Sequence, residues 1–205
     1  MKRRACEGGR AVADLTVETR KYFKIFNRFM LFMWKLGLGP YINAWPEVGG
    51  QIMVLNHIGR KTGKRCQTPL NYAEVNGEIY CAAGFGSTSD WYKNIIANPQ
   101  VEIWLPNGWW AGIAEEVLDA KLRLPIMHKV LIASGAAAPV FGLPIKQMSD
   151  EQIAEATANY SLVRIRRTTA RTGPGGPGDL AGIWPLATLF LLWLLLTRRR
   201  CNRKR

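Results

Sequence analysis

Apolar residues recur at three- and four-residue steps through Tyr22, Ile25, Phe26, Phe29, Met30, Met33 and Leu36. That rhythm predicts a helix from Val17 to Leu38, with Arg20, Lys21, Lys24, Arg28 and Lys35 interspersed. Phe23, Leu31, Phe32 and Trp34 widen its apolar face, so it either packs on a domain or lies at a bilayer surface. Gly37, Gly39 and Pro40 end it. Beyond them the period shortens to two. Gln51–His57 and Thr68–Val75 read as strands, and Asn76-Gly77 is a two-residue hairpin signal leading into Glu78–Ala83. Gly84 to Ser89 is a small-residue loop, and Asp90 reads as the N-cap of a short helix, Trp91–Ala97, closed by Asn98-Pro99. Val101–Leu105, Pro106-Asn107-Gly108 and Trp109–Val117 make a second hairpin. Asp119–Ala133 is helical with a kink near Pro125, and Ser134–Pro144 is a loop rich in Ala, Gly and Pro. Ser149 and Gln152 form a capping box for Asp150–Ala158, and Tyr160–Arg166 is a last strand. Short antiparallel strands with a few helices indicate an α+β fold, a small β-barrel with peripheral helices.

The C-terminal pattern is different. Thr172–Asp179 is Gly/Pro-rich and reads as part of a linker over 168–179. Leu180–Thr197 carries no charge and is dense in leucine. Eighteen helical residues reach roughly 27 Å, near the hydrocarbon thickness, which predicts a transmembrane helix. A polybasic tail, 198–205, follows it, and a basic extension, 1–16, precedes the domain at 17–167. Charge sharpens this division. The net charge is +13, but residues 1–35 hold nine Lys/Arg against three Asp/Glu, and residues 171–205 hold seven against one. The central domain is therefore nearly neutral, which favours an anionic membrane surface over a nucleic-acid partner.

Candidate chemistry concentrates between the first two strands. Gly59, Arg60, Lys61, Gly63, Lys64 and Arg65 place two glycines and four cations within seven residues. Such a turn is either a solvated hairpin or a site for a phosphate or carboxylate. Cys6, Cys66, Cys81 and Cys201 show no C-x-x-C pairing, and His57 and His128 complete no zinc set, so no metal is expected. His57 is either a proton donor near a bound anion or a strand-end residue; His128 reads as structural. Trp104, Trp109 and Trp110 serve barrel packing or an interface, which leaves a homodimer open.

The order of motifs resembles the deazaflavin-dependent nitroreductase and oxidoreductase family, which uses coenzyme F420. The segments are G-R-K-T-G-K-R-C-Q-T-P-L (Gly59–Leu70), N-G-E-I-Y (Asn76–Tyr80) and D-W-Y-K-N-I-I-A-N-P-Q-V (Asp90–Val101). F-N-R-F-M and L-G-L-G-P near the N-terminus also look like the family's first helix, so the resemblance spans about Val17 to Arg166. It implies a split β-barrel related to flavin reductases, and hydride transfer from reduced F420 to quinones, nitro compounds or activated alkenes. By the same resemblance Arg60, Lys61 and Thr62 would hold the phosphate and acidic tail. Cys66, Gln67, Thr68, Pro69, Leu70 and Asn71 would run beside the cofactor, with Ala82, Ala83, Gly84 and Phe85, and Asp90, Trp91, Tyr92, Lys93 and Asn94 completing the pocket. Asn71 and Tyr160 are the candidate substrate-side residues, and no catalytic side chain is assigned, because the ring itself donates the hydride. Arg65-Cys66 stands where the family often has Pro-Arg, and a one-residue step in a strand turns a side chain to the opposite face.

The expected function is thus a membrane-associated F420H2-dependent reductase of a lipophilic acceptor, with membrane lipid as a second partner. The expected location is the cell membrane, with the domain on the cytoplasmic side. The alternative is a non-catalytic split barrel holding a fatty acid, haem, FMN or nothing.

Overall fold

The computed structural model describes residues 24–135 and 145–202. The basic extension, the start of the first helix, most of the Ser134–Pro144 loop and the last three tail residues lie outside them. Six antiparallel strands close a barrel in the order β1-β2-β3-β6-β5-β4. They are β1 (Ile52–Ile58), β2 (Arg65–Val75), β3 (Glu78–Ala83), β4 (Gln100–Leu105), β5 (Gly108–Glu116) and β6 (Ser161–Ala170). The helices are α1 (helical over 24–35), α2 (Asp90–Ala97), α3 (Ala120–Ala133), α4 (Asp150–Ala156) and α5 (Ile183–Asn202), with single turns at Gly39–Ile42 and Pro46–Gly49. The N-cap of α2 is Ser89 rather than Asp90, whose carboxylate is instead drawn to Arg60.

Strand alternation builds two layers of core. Met53, Leu55, Ile79, Cys81, Ile103, Val163 and Ile165 point inward and are fully buried. Outward-facing Ala73, Tyr80 and Leu162 are covered by Met127 and Val130 of α3 and Ile153 of α4. On the opposite flank Val54, Trp104 and Trp109 pack against Trp34 of α1. The β2–β3 hairpin turns at Asn76 (φ 53) and Gly77 (φ 80), both left-handed, as a two-residue turn demands.

One irregularity sets up the site. Pairing of β2 with β3 begins at Val75↔Glu78 and stops at Tyr72↔Cys81. The first half of β2 then stays with β1, through Asn71↔Ile52 to Arg65↔Ile58, while the end of β3 follows β6 to Ala83↔Ser161. The two strands diverge and leave a split.

The C-terminal segment departs most from expectation. Strand β6 runs to Ala170, and the Gly/Pro stretch then lies against the barrel as a strap. Gly176 is buried under Trp109, where an added Cβ would sit 2.6 Å from ring carbon Cε3. Gly178 N–H donates to the Trp34 carbonyl at 3.1 Å and Leu180 N–H to the Lys35 carbonyl at 2.8 Å. Trp184 Nε1 donates to the Leu36 carbonyl at 2.9 Å. These turns occupy the chain as far as Gly182, so the last helix starts at Ile183 rather than Leu180. Only 183–197 precede the arginines, an apolar length of about 22 Å against about 30 Å of hydrocarbon. Among the described residues no helix is long and apolar enough to cross a membrane. The transmembrane helix expected over 180–197 is corrected accordingly.

Candidate functional site

A cavity of about 510 Å³ opens in the split between β2 and β3. Because the edge of β2 has no partner strand there, both of its faces border the space: Thr68 and Leu70 from one, Pro69 and Asn71 from the other. Ala82, Gly84 and Phe85 form the facing wall, and Asp90 and Trp91 at the start of α2 close one end. Val130, Leu131 and Ser134 of the α3 end, Tyr160, and Lys24, Phe26 and Asn27 of α1 complete it. Most of this lining is apolar. Burial pushes the Tyr160 phenol above its ordinary range, so it stays protonated.

The basic turn is attached to the rim. Gly59 N–H donates to the Lys64 carbonyl at 2.8 Å, and Gly63 N–H donates to the Gly59 carbonyl at 2.8 Å. Gly63 (φ 64) takes the left-handed conformation that closes the turn. Arg60 Nη2 donates to Asp90 Oδ1 at 3.0 Å, and Arg60 Nη1 donates to Asn94 Oδ1 at 2.8 Å. Since Asp90 borders the cavity, Arg60 is fixed at its mouth. Lys61 and Lys64 are exposed and have no ion pair among the described residues.

Beneath this lies a buried network. His57, 3% exposed, places Nδ1 3.2 Å from Asn94 Nδ2 and Nε2 3.1 Å from Thr68 Oγ1. Desolvation pulls the imidazole down to about 4, so it is neutral at ordinary pH. A proton-donating imidazolium beside a bound anion is thereby replaced by a neutral, hydrogen-bonded ring.

The expected cofactor-side residues therefore divide. Thr68, Pro69, Leu70, Asn71, Ala82, Gly84, Phe85, Asp90 and Trp91 border the cavity, as does Tyr160. Arg60, Lys61 and Thr62 sit on the turn at its mouth, and Asn94 acts through Arg60 and His57. Ala83 and Tyr92 belong to the barrel interior: strand alternation turns Ala83 inward, and Tyr92 lies on the face of α2 that packs on the barrel. Lys93 is exposed, Cys66 Sγ donates to the Lys64 carbonyl at 3.6 Å, and Gln67 Nε2 donates to Asn56 Oδ1 at 2.8 Å on the outer face. The sequence reading missed the α1 and α3 walls. Phe26 had a signal, its place on the apolar stripe; Ser134 had none.

A second cavity of about 410 Å³ lies on that outer face, beside Asn56, Arg65, Glu102 and Arg171. Glu102 accepts from Arg65 Nη2, from Arg171 Nη2 at 2.7 Å and from Trp109 Nε1 at 3.1 Å. Arg65 is thus turned away from the split, as the one-residue step predicts.

Comparison with known proteins gives this geometry a context. Residues 37–134 match the family model for F420H(2)-dependent quinone reductase. Over that stretch the chain is similar to this family. Solved structures are similar at a lower level. A conserved hypothetical protein from Mycobacterium tuberculosis shares 20% identity, over 66% of this chain and 81% of that one, with a TM-score of 0.44. An F420-H2 dependent reductase shares 21%, over 57% and 94%, at 0.39. The haem storage protein HutZ of Vibrio cholerae shares 14%, over 64% and 91%, at 0.43. The residues of the split fit a cofactor of that kind: the cavity volume of about 510 Å³ falls within the roughly 300–1,000 Å³ of small-molecule sites, its walls are mostly apolar, and the Arg60–Asp90 pair anchors the basic turn to its rim.

Proposed function

We propose that the split holds the F420 ring between Pro69, Leu70 and Trp91, with the phosphate and acidic tail on the Arg60–Lys64 turn. The observation that carries this reading is the joint between the two: the Arg60–Asp90 pair fixes a polycationic turn to the mouth of an apolar slot. Bound F420H2 supplies a hydride from position 5 of its ring. Everything else falls to the chain. Lys61 and Lys64 attract the tail, the apolar walls exclude water, and the protonated Tyr160 phenol is placed to hydrogen-bond an acceptor oxygen.

The proposed acceptor is a lipophilic quinone-class molecule. Phe26, half exposed at 49%, borders the cavity from α1, and Phe29 and Phe32 continue its apolar face outward. Leu186, Leu189, Phe190 and Leu191 of α5 are exposed as well. A short apolar helix followed by arginines supports lying in a lipid surface without crossing it. The proposed location is the cell membrane, with the domain on the cytoplasmic side, so that the acceptor enters past α1.

Fluorescence titration with F420 tests the cofactor site, with micromolar-range binding expected. A flat titration, with an acyl chain found by mass spectrometry in the purified protein, would replace this reading by a lipid carrier. Flotation with anionic vesicles tests the surface. Recovery of the full chain in the pellet at low salt would remove the membrane from the proposal.

A further inference from the structure

The hydrogen bonds around His57 can run in only one direction. Arg60 approaches Asn94 Oδ1 with two donors, its backbone N–H at 3.1 Å and Nη1 at 2.8 Å. Neither group can accept, so the oxygen of the Asn94 amide must face Arg60. Its Nδ2 then faces His57 Nδ1 at 3.2 Å, which must accept, and the ring proton is forced onto Nε2. Nε2–H in turn donates to Thr68 Oγ1 at 3.1 Å. The Thr68 hydroxyl spends a lone pair on His57, and its own hydrogen cannot point that way. The Thr68 hydroxyl has no other hydrogen bond among the described residues, and Thr68 borders the 510 Å³ cavity.

We propose that His57 is a positioning residue that makes the Thr68 hydroxyl a directed donor into the split, toward a carbonyl oxygen or ring nitrogen of the bound cofactor. This rests on the F420 reading of that cavity and deepens it. Asn94 is the hub. One amide fixes the cation at the mouth through its oxygen, and the donor deeper in the slot through its nitrogen. The two ends of the ligand are thereby registered by one side chain, without either end touching it.

The assignment is tested by a double-mutant cycle in the full chain, read as F420 affinity by fluorescence titration and as the visible absorption maximum of the bound deazaflavin. Thr68→Val removes the hydroxyl and keeps the shape; a loss of about 3- to 10-fold in affinity is expected, with a shifted absorption maximum. Thr68→Ser keeps the hydroxyl and is expected within about twofold of wild type. His57→Leu should weaken binding alone, yet add almost nothing once Thr68 is Val. His57→Gln, which carries an amide N–H near the Nε2 position, should recover most of that loss. If His57→Leu fails to fold, the Val–Ser pair and His57→Gln carry the test. Fully additive losses would reduce His57 to a packing residue and overturn the proposal, as would unchanged binding by Thr68→Val. A wild type that does not bind removes the cofactor reading as well; a wild type that binds beside an unaffected Thr68→Val removes only this one.

Discussion

The barrel carries two concavities of similar size, about 510 Å³ in the split and about 410 Å³ on the outer face, and both have arginines at hand. They differ in what those cations are doing. On the outer face one carboxylate, Glu102, holds both Arg65 and Arg171, and takes the Trp109 indole N–H as well. In the split Arg60 is held by Asp90, but Lys61 and Lys64 beside it have no carboxylate among the described residues. A positively charged hollow is thus no sign of an anion site by itself. What matters is the charge left over after internal pairing, and whether an apolar slot lies next to it. The same strand feeds both places. Thr68 belongs to the split and Gln67 to the outer face, so a step of one residue along β2 changes the chemistry a side chain meets.

The contrast breaks most sharply on the unpaired cations. Lys61→Ala is expected to weaken F420 binding by roughly tenfold or more, whereas Arg171→Ala should change it by less than about twofold. Equal losses in fluorescence titration would merge the two regions into one anion field. Stability should show the reverse ranking. Glu102→Ala leaves three donors without their acceptor and is expected to cost about 1–3 kcal/mol in urea unfolding, with F420 affinity unchanged. The strap that borders the outer face gives a third test. Gly176→Ala drives a methyl into the Trp109 ring and is expected to destabilise by about 1–3 kcal/mol, measured as a lower urea midpoint.

The smallest effect concerns acid. The folded imidazole of His57 titrates at about 4, against 6.5 for the free side chain. Between those values the unfolded chain binds the extra proton, so stability falls as pH drops through that window and is unaffected above it. The polar groups facing the ring are Asn94 and Thr68, with the Arg60 guanidinium beyond Asn94, and none offers a carboxylate to offset the cost. A loss of about 1 kcal/mol per pH unit is expected between pH 6 and 4.5, and His57→Gln should flatten it. A His57→Gln melt with the wild-type slope would assign the acid sensitivity elsewhere.

Much of this was legible in residue order, for reasons that differ by element. Asn76-Gly77 announces its hairpin because few other pairs tolerate two left-handed residues. The nine expected cofactor-side residues that border the cavity sit on the middle of β2, at or just past the end of β3 and on the start of α2, where local pattern and the family-like motifs agree. The rest depended on contacts between distant residues. His57 and Asn94 are thirty-seven positions apart, and neither position advertises the other. The resemblance placed Ala83 and Tyr92 at the cofactor along with their neighbours, but strand alternation sends Ala83 to the core, and so does the barrel-facing side of α2 for Tyr92. The Gly/Pro stretch read as a linker because its packing signal is a missing side chain, the hydrogen of Gly176 that lets Trp109 approach. The leucine run was long enough by composition; the turns of the strap shortened it as a helix.

The strap also dictates where the gene can safely be cut. An obvious way to obtain a better-behaved protein would be to stop after Ala170, dropping the glycines and leucines together. That boundary would lift the cover from Trp109 and strip the Trp34, Lys35 and Leu36 carbonyls of their donors. Ending the open reading frame just past Trp184 instead would discard the greasy stretch while leaving the indole cluster clothed.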